Sequence, residues 1–304
     1  MFGAPRRLRL PGHNLRMQSV PARVLSRLGF QDGLAVDEAG LRALYRAWCL
    51  SVPFDNIRKL IAHASGGQDA LPGTDAQDFL ENWLEHGTGG TCWPSSNALH
   101  AVAEAAGFCA SRASAAMWDA GAPTHGTVIV SVDGRDWAID SSILTINPIP
   151  LVENAIHIQP GPLHPVEAEW FEGTFVFWFE APNFSSMFPC RLLNRHVEHE
   201  FYAGRYEWSR TNGPFNARLF VRRNFPGRLV MLIGNTKWER TAEGQTESQL
   251  TADELVAELT GRHGYSREIV DRWIGAGGLD AAMAPPASRP DPPALTRVAP
   301  SMRG

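Results

Sequence analysis

The chain has 304 residues and a mass of 33.4 kDa, enough for two or three modules around a shared core. A hydrophobic share of 44% excludes a mainly disordered protein, and a net charge of −4 argues against general nucleic-acid binding. No apolar run approaches about 18 residues, so we expect neither a membrane span nor a secretory signal. Four cysteines without a C-x-x-C pair predict free thiols in a reducing, cytoplasmic setting rather than disulfides or zinc sites.

The two ends of the chain differ in composition from its centre. Residues 1–19 carry four arginines and no acidic residue, and we predict a disordered Arg-rich start. Residues 284–304 hold six of the 22 prolines and no long apolar run, which predicts a disordered tail. We therefore expect the fold to lie within residues 20–283.

Helical spacing of apolar residues dominates the first third of this region. Val24, Leu25 and Leu28 share one helical face before Gly29, and a second series runs from Leu41 to Cys49. End signals predict two more helices, over 75–85 with Thr74 as cap and over 94–106 with Pro94 in the first position, before Gly107.

Strand patterns follow. The alternation of apolar and polar residues predicts strands over 111–118, 127–132, 135–139 and 175–179, and further strands within 200–240, of which 217–221 and 229–233 are the clearest. A last helix is predicted over 252–260, because Thr251 offers a cap and acidic residues follow it.

Cys92 is the first candidate for chemistry. It follows the glycine-rich run 87–90 and stands at the start of the predicted helix. The positive end of a helix dipole favours thiolate over thiol, and the glycines let other groups approach the sulfur. A cysteine in this position can also be simple packing, so Cys92 needs partners to be a nucleophile.

A predicted hairpin supplies those partners. Asp133–Gly134 is a two-residue turn signal between alternating runs. With this turn, the residue numbers of two paired residues add up to 267. His125 and Asp140 become diagonal neighbours on one face, about 7–8 Å apart at the backbone, while the opposite face is apolar. A thiol, an imidazole and a carboxylate are what a cysteine nucleophile needs, although a surface hydrogen bond between His125 and Asp140 is the plain alternative.

Several motifs together resemble those of the arylamine N-acetyltransferases, a family that includes amide-synthase relatives. The resemblance runs from about residue 22 to residue 273. Residues 52–57 (VPFDNI) resemble the family's I-P-F-E-N-L, residues 89–93 (GGTCW) its R-G-G-x-C-F, and residues 213–222 its S-P-F strand. Cys92, His125 and Asp140 fall where the family has its triad, with the same 15-residue gap between the last two.

The resemblance implies an α+β fold of three parts: a helical bundle with the nucleophile (20–108), a central β-barrel (109–212) and a C-terminal α/β lid (213–283). It also implies a ping-pong acyl transfer to a small-molecule amine, with acetyl-CoA or another acyl thioester as co-substrate and no permanently bound cofactor or metal. Candidate substrate-binding residues are Phe54, Trp93, Ile143 and Phe215.

Departures from the family keep other functions open. The motif arginine is Thr88 and the motif glutamate is Asp55, which removes a charge pair, and the loop after Asp140 reads Ser-Ser-Ile-Leu with Ile143 in place of an aromatic. One alternative is an amide synthase that takes its acyl group from an acyl carrier protein. Others are a catalytically inactive binding relative and a papain-like hydrolase.

Three further patterns have plainer interpretations. His196 and His199 have no partner at a metal-site spacing, so we expect exposed or strand-edge histidines. The aromatic run 171–179 is typical of barrel core, with a ligand pocket as the alternative. The cysteines other than Cys92 are predicted to pack as small apolar groups.

Overall fold

The computed structural model describes residues 19–161, 163–184 and 186–285. The predicted Arg-rich start and Pro-rich tail lie outside these ranges, apart from residue 19 and residues 284 and 285. Within the described ranges, no helix combines the length and apolarity needed to cross a membrane. The cytoplasmic location stays a prediction.

The first part of the chain is helical. Its five helices are α1 (Val20–Arg27), α2 (Glu38–Ser51), α3 (Ile57–Ala64), α4 (Ala76–His86) and α5 (Cys92–Ala105). Helix α5 lies at the centre of the molecule, since eleven of its fourteen residues are buried. Helix α3 has no counterpart in the sequence prediction.

Two predicted helix starts are wrong in detail. Asp75, not Thr74, caps α4 by accepting from the Gln77 N–H, while the Thr74 hydroxyl donates to the Leu71 carbonyl at 2.7 Å. Helix α5 begins at Cys92, so Pro94 is its third residue rather than its first. A proline fits there because the first turn of a helix has no acceptor for its N–H groups.

An eight-stranded antiparallel sheet follows and closes almost into a barrel. Its strand order is β5-β4-β3-β2-β9-β8-β7-β6. The strands are β2 (Cys109–Met117), β3 (His125–Val132), β4 (Arg135–Ile139), β5 (Ile149–Pro150), β6 (Ile156–Gln159), β7 (Val166–Phe171), β8 (Thr174–Phe179) and β9 (Phe188–Asn194).

The β3–β4 hairpin has the predicted register. Val130 pairs with Trp137, and Asp133 and Gly134 have φ of 52° and 73°, as a type I′ turn requires. One face packs against the helices, as expected. The other face, which presents His125 and Asp140 as predicted, also carries Ile129 and Ala138, and both belong to the barrel core.

The last part of the chain combines a second sheet with helices. Its strands, in the order β1-β10-β11-β12-β13, are β1 (Phe54–Asp55), β10 (Phe220–Phe225), β11 (Arg228–Ile233), β12 (Thr236–Thr241) and β13 (Gln245–Gln249). The helices are α6 (His199–Asn212), α7 (Ala252–Ala257), α8 (Arg267–Gly275) and α9 (Gly278–Met283), with a π-helical segment over Glu258–Arg262. Strand β1 comes from the helical part of the chain, so this sheet connects the two.

The structure corrects three predictions here. Residues 199–212 form helix α6 instead of strands, and the strand predicted over 217–221 begins only at Phe220. The helix predicted over 252–260 changes to π-helical geometry at Glu258, and two more helices follow it. The α+β class with helical, barrel and C-terminal α/β parts is confirmed. The exact domain boundaries stay a prediction.

Candidate active site

Cys92 is fixed by a tightly packed approach to α5. A Cβ atom on Gly89 would lie 1.7 Å from the Pro53 carbonyl oxygen, and one on Gly90 would lie 2.8 Å from the Phe79 ring. These glycines therefore allow the loop to pass against β1 and α4. Cys92 is the first residue of α5, its side chain is buried, and its thiol faces the Thr124 carbonyl at 3.9 Å.

His125 and Asp140 lie beside this thiol. The His125 Nε2 and an Asp140 carboxylate oxygen are 2.6 Å apart, with only 3% and 4% of the two residues exposed. Because Nε2 is bound to Asp140, Nδ1 is the ring nitrogen left for Cys92, whose side chain is close enough to raise the pKa of His125. The structure brings the three predicted residues together.

His125 and Asp140 each stabilise the charged form of the other. Burial lowers the pKa of His125, but the charge and hydrogen bond of Asp140, with a smaller contribution from Cys92, outweigh it and raise that pKa to about 10. Burial likewise raises the pKa of Asp140, yet His125 and the N–H groups of Ile143 and Ser142 lower it overall. Both shifts favour an imidazolium beside an ionised carboxylate at neutral pH.

Asp140 is held in place from three sides. Its Oδ1 accepts from the N–H groups of Ser142 at 2.9 Å and Ile143 at 2.8 Å, which turns the following loop around the carboxylate. The Tyr45 hydroxyl donates to the Asp140 carbonyl at 2.7 Å and accepts from its N–H at 3.0 Å. Both carboxylate oxygens of Asp140 have hydrogen-bond partners, and its main chain is held by Tyr45. The carboxylate that orients His125 is therefore itself fixed in place.

Tyr45 belongs to the helical series from Leu41 to Cys49, whose spacing predicts a buried face but not this contact with Asp140. Its partners lie about a hundred residues away in sequence, and helical spacing reports only that a residue faces inward. Lys59 was missed as well, since α3 itself was not predicted. Its buried Nζ donates to Ser209 at 2.8 Å, and burial lowers its pKa to about 8, although the nearby Cys92 acts in the opposite direction.

Comparison with known proteins decides the family. The family profile described as N-acetyltransferase matches residues 38–264, about three quarters of the chain. The chain belongs to the arylamine N-acetyltransferase family. It is accordingly an acyltransferase. No curated protein sequence matches it significantly.

Solved arylamine N-acetyltransferases share the fold. A cysteine-to-glutamine variant of the Mycobacterium smegmatis enzyme is 18% identical with a TM-score of 0.71, covering 86% of this chain and 100% of the other. The Salmonella typhimurium enzyme is 17% identical with a TM-score of 0.71, over 86% and 99%. The Mycobacterium marinum enzyme in complex with CoA is 17% identical with a TM-score of 0.70, over 85% and 96%.

The candidate substrate residues of this acetyltransferase are buried, apart from Phe215, which is half-buried. Trp93 is buried next to Cys92 and packs edge-on against Tyr202. Phe54 packs against Phe215, with ring centroids 5.1 Å apart. Ile143 is buried in the barrel core and donates its N–H to Asp140. Their contacts with substrate stay a prediction, as does the assignment of the triad.

The acetyltransferase replaces the missing charge pair with hydrogen bonds. The buried Asp55 carboxylate accepts from the Gly89 N–H at 2.6 Å, the Ile57 N–H at 3.1 Å and the Tyr265 hydroxyl at 3.0 Å. Burial raises the pKa of Asp55 to about 6 despite these bonds. Asp55 thus anchors the loop before Cys92 without an arginine at residue 88.

The remaining predictions have mixed outcomes. His196 is exposed beside Glu198, but His199 is half-buried as the first residue of α6, so its predicted exposed or strand-edge position is wrong. Among the described residues no group of three His, Cys, Asp or Glu side chains could hold a metal ion. The aromatic residues at 175, 177 and 179 lie in the barrel core, as expected, whereas Phe171 at the start of the run is exposed. Cys49 and Cys190 are buried and burial raises the pKa of Cys49 to about 12, but Cys109 is exposed, so its predicted packing role is wrong.

Proposed function

We propose that this enzyme transfers an acetyl group from acetyl-CoA to a small-molecule amine through a thioester on Cys92. The observation that supports this most is the buried 2.6 Å contact of His125 with Asp140, next to a thiol at the start of a helix. The family and the CoA complex of the Mycobacterium marinum relative support the choice of donor.

In the first half-reaction the raised pKa of His125 keeps a proton on the imidazole. The Cys92 thiolate attacks the acetyl carbonyl carbon, and the carbon–sulfur bond to CoA breaks. The proton passes from His125 to the sulfur of the departing CoA. The products are acetyl-Cys92, neutral His125 and free CoA thiol.

In the second half-reaction the amine attacks the same carbonyl carbon. The bond from the acyl carbon to the Cys92 sulfur breaks, and neutral His125 accepts the proton that the amine nitrogen loses. The amide leaves, and the thiolate and imidazolium form again. Asp140 stays ionised throughout, where it keeps Nε2 oriented and stabilises the imidazolium.

Mass spectrometry of the intact protein tests the intermediate. After incubation with acetyl-CoA and without an amine, we expect one acetyl group per chain. The group should be absent in Cys92→Ala and present in Cys109→Ala, the matched control at the exposed thiol. An acetyl group on Cys109 alone, or no adduct from any thioester donor, would contradict the proposal, and the latter would favour the inactive relative.

The alternative functions differ from the proposed one in the acyl donor or in the acyl acceptor, and both can be tested. An amide synthase is the second candidate, because Ile143 replaces an aromatic residue beside the triad. It would be acylated by an acyl carrier protein much faster than by acetyl-CoA. A hydrolase would lose the acyl group rapidly to water, whereas the proposed enzyme retains it until an amine is added.

A further inference from the structure

The five-stranded sheet turns a polar face toward the loop that follows Asp140. Asn224 on β10 donates its side-chain N–H to the Leu144 carbonyl at 2.8 Å. Arg222 precedes Asn224 by two residues, so both side chains lie on the same face. Arg240 on β12 stands in the same cross-strand row as Asn224, with Leu229 between them. The face therefore carries two arginines close to one amide.

Arg222 is buried without a countercharge. Only 3% of it is exposed, its Nε has no hydrogen-bond partner among the described residues, and no ion pair of Arg222 is found there. Arg240 differs, because it pairs with Glu180 at 2.9 Å and donates to Gln245, although its Nη1 is also unpartnered in the described part of the chain. Burying an unpaired charge is costly, so Arg222 calls for an anion.

The neighbouring groups experience this positive charge. Burial and then the charge of Arg240 lower the pKa of Arg222 to about 10, while Asp140 acts in the opposite direction. Burial followed by the charges of Arg222 and Arg240 lowers the pKa of His164 to about 3. Asp140 is already bound to His125 and Glu180 to Arg240, so neither carboxylate is free to neutralise Arg222.

The fully buried Asn224 adds a requirement for a hydrogen-bond donor. Its Nδ2 is used by Leu144, while its Oδ1 has no partner among the described residues. An anion that carried only acceptors would leave this oxygen unpaired. A protonated oxygen atom on the same ligand would satisfy it.

We propose that Arg222, Arg240 and Asn224 form a binding site for a small oxoanion that carries a hydroxyl group, such as hydrogen phosphate. The guanidinium groups donate to the charged oxygens, a geometry that arginine makes well. The Asn224 Oδ1 accepts the ligand's O–H. Bound there, the anion ties the sheet to the loop behind Asp140, and this role does not depend on acyl transfer.

Titration calorimetry of the full chain with inorganic phosphate tests the site. We expect saturable binding of one phosphate per chain, unchanged when CoA is present in excess, since the active site is elsewhere. Sulfate has the same shape but no O–H at neutral pH, so it should bind more weakly, and chloride at equal ionic strength should not bind.

The variants separate this site from general charge effects. Arg222→Gln should weaken phosphate binding at least tenfold, whereas Arg46→Gln, at an exposed arginine of α2, should bind like the unmodified protein. Should Arg222→Gln fail to fold by circular dichroism, Arg240→Gln is expected to weaken binding with Arg222 in place. Absence of saturable phosphate binding to the unmodified protein, or full displacement by CoA, would overturn the proposal.

Discussion

The Tyr45 hydroxyl is hydrogen-bonded to the main chain of Asp140. The Tyr45 hydroxyl donates to the Asp140 carbonyl at 2.7 Å and accepts from the Asp140 N–H at 3.0 Å, and it also accepts from the Thr145 N–H at 3.2 Å. Helix α2 thereby fixes the end of β4 and the loop that wraps the carboxylate. The position of the candidate triad depends on this hydroxyl as well as on the hairpin.

Tyr45→Phe is expected to lower the free energy of unfolding by about 1–3 kcal/mol, because two buried N–H groups and a carbonyl lose their partner. Urea unfolding measures this. Thr260→Val is the control, since it also removes one part-buried hydroxyl, which donates to the Val256 carbonyl among the C-terminal helices. Tyr45→Phe should also slow acetylation at Cys92 while Thr260→Val should not; equal acetylation rates in both variants would count against a positioning role.

Asp140→Asn should leave the fold intact and slow the alkylation of Cys92 by iodoacetamide at neutral pH. The reason is that His125 loses the negative charge that keeps it protonated, and with it the stabilisation of the thiolate. We expect a fall of at least tenfold. Asp136→Asn changes the same charge on the same hairpin, where Asp136 accepts from Ser131 at the surface, and should react like the unmodified protein. An unchanged rate in Asp140→Asn would refute the coupling.

The hairpin and its two polar residues could be predicted because the information is local. Asp133 and Gly134 define a turn, the turn defines the register, and the register places His125 near Asp140. Likewise the capping box of Thr251 and Glu254 could be predicted from adjacent residues. In each case the residues that determine the geometry are close in sequence to the residues that they position.

The features that were missed depend on distant contacts. Residues 199–212 are helical because Tyr202 and Tyr206 pack inward, where the Tyr202 hydroxyl lies within hydrogen-bond distance of carbonyls of β2 and β3. Lys59 belongs to the same class, since its partner Ser209 is 150 residues away. Propensity over a short window contains no information on such partners.

Gly89→Ala should be strongly destabilising. Its Cβ would lie 1.7 Å from the Pro53 carbonyl oxygen, a backbone atom that cannot rotate away. We expect a loss of about 3 kcal/mol or more in the free energy of unfolding, together with loss of acetylation, because the loop before Cys92 must shift. Gly204→Ala in α6 is the matched control: nothing lies within 4 Å of its Cβ, and alanine should stabilise the helix by about 0.5–1 kcal/mol. Similar losses in both variants would contradict the close approach at Gly89.

The stability of the protein should depend on pH through His125. Its pKa is raised to about 10 in the folded state, above the ordinary value of 6.5, so folding favours the protonated form. This stabilisation is fully present below pH 6.5 and is lost as the pH rises through 10. Lys59 has a lowered pKa of about 8 and acts in the opposite direction over an overlapping range.

The contribution of His125 to stability is therefore measured as the difference in unfolding free energy between the unmodified protein and a variant without this histidine. We expect the unfolding free energy of the unmodified protein, minus that of His125→Gln, to be smaller at pH 10 than at pH 6.5 in urea titrations. The Lys59 contribution is present in both proteins and cancels to first order. A difference that stays constant over this range would mean that His125 is not protonated in the folded state, and the first half-reaction would then need Cys92 to lose its proton to the neutral imidazole.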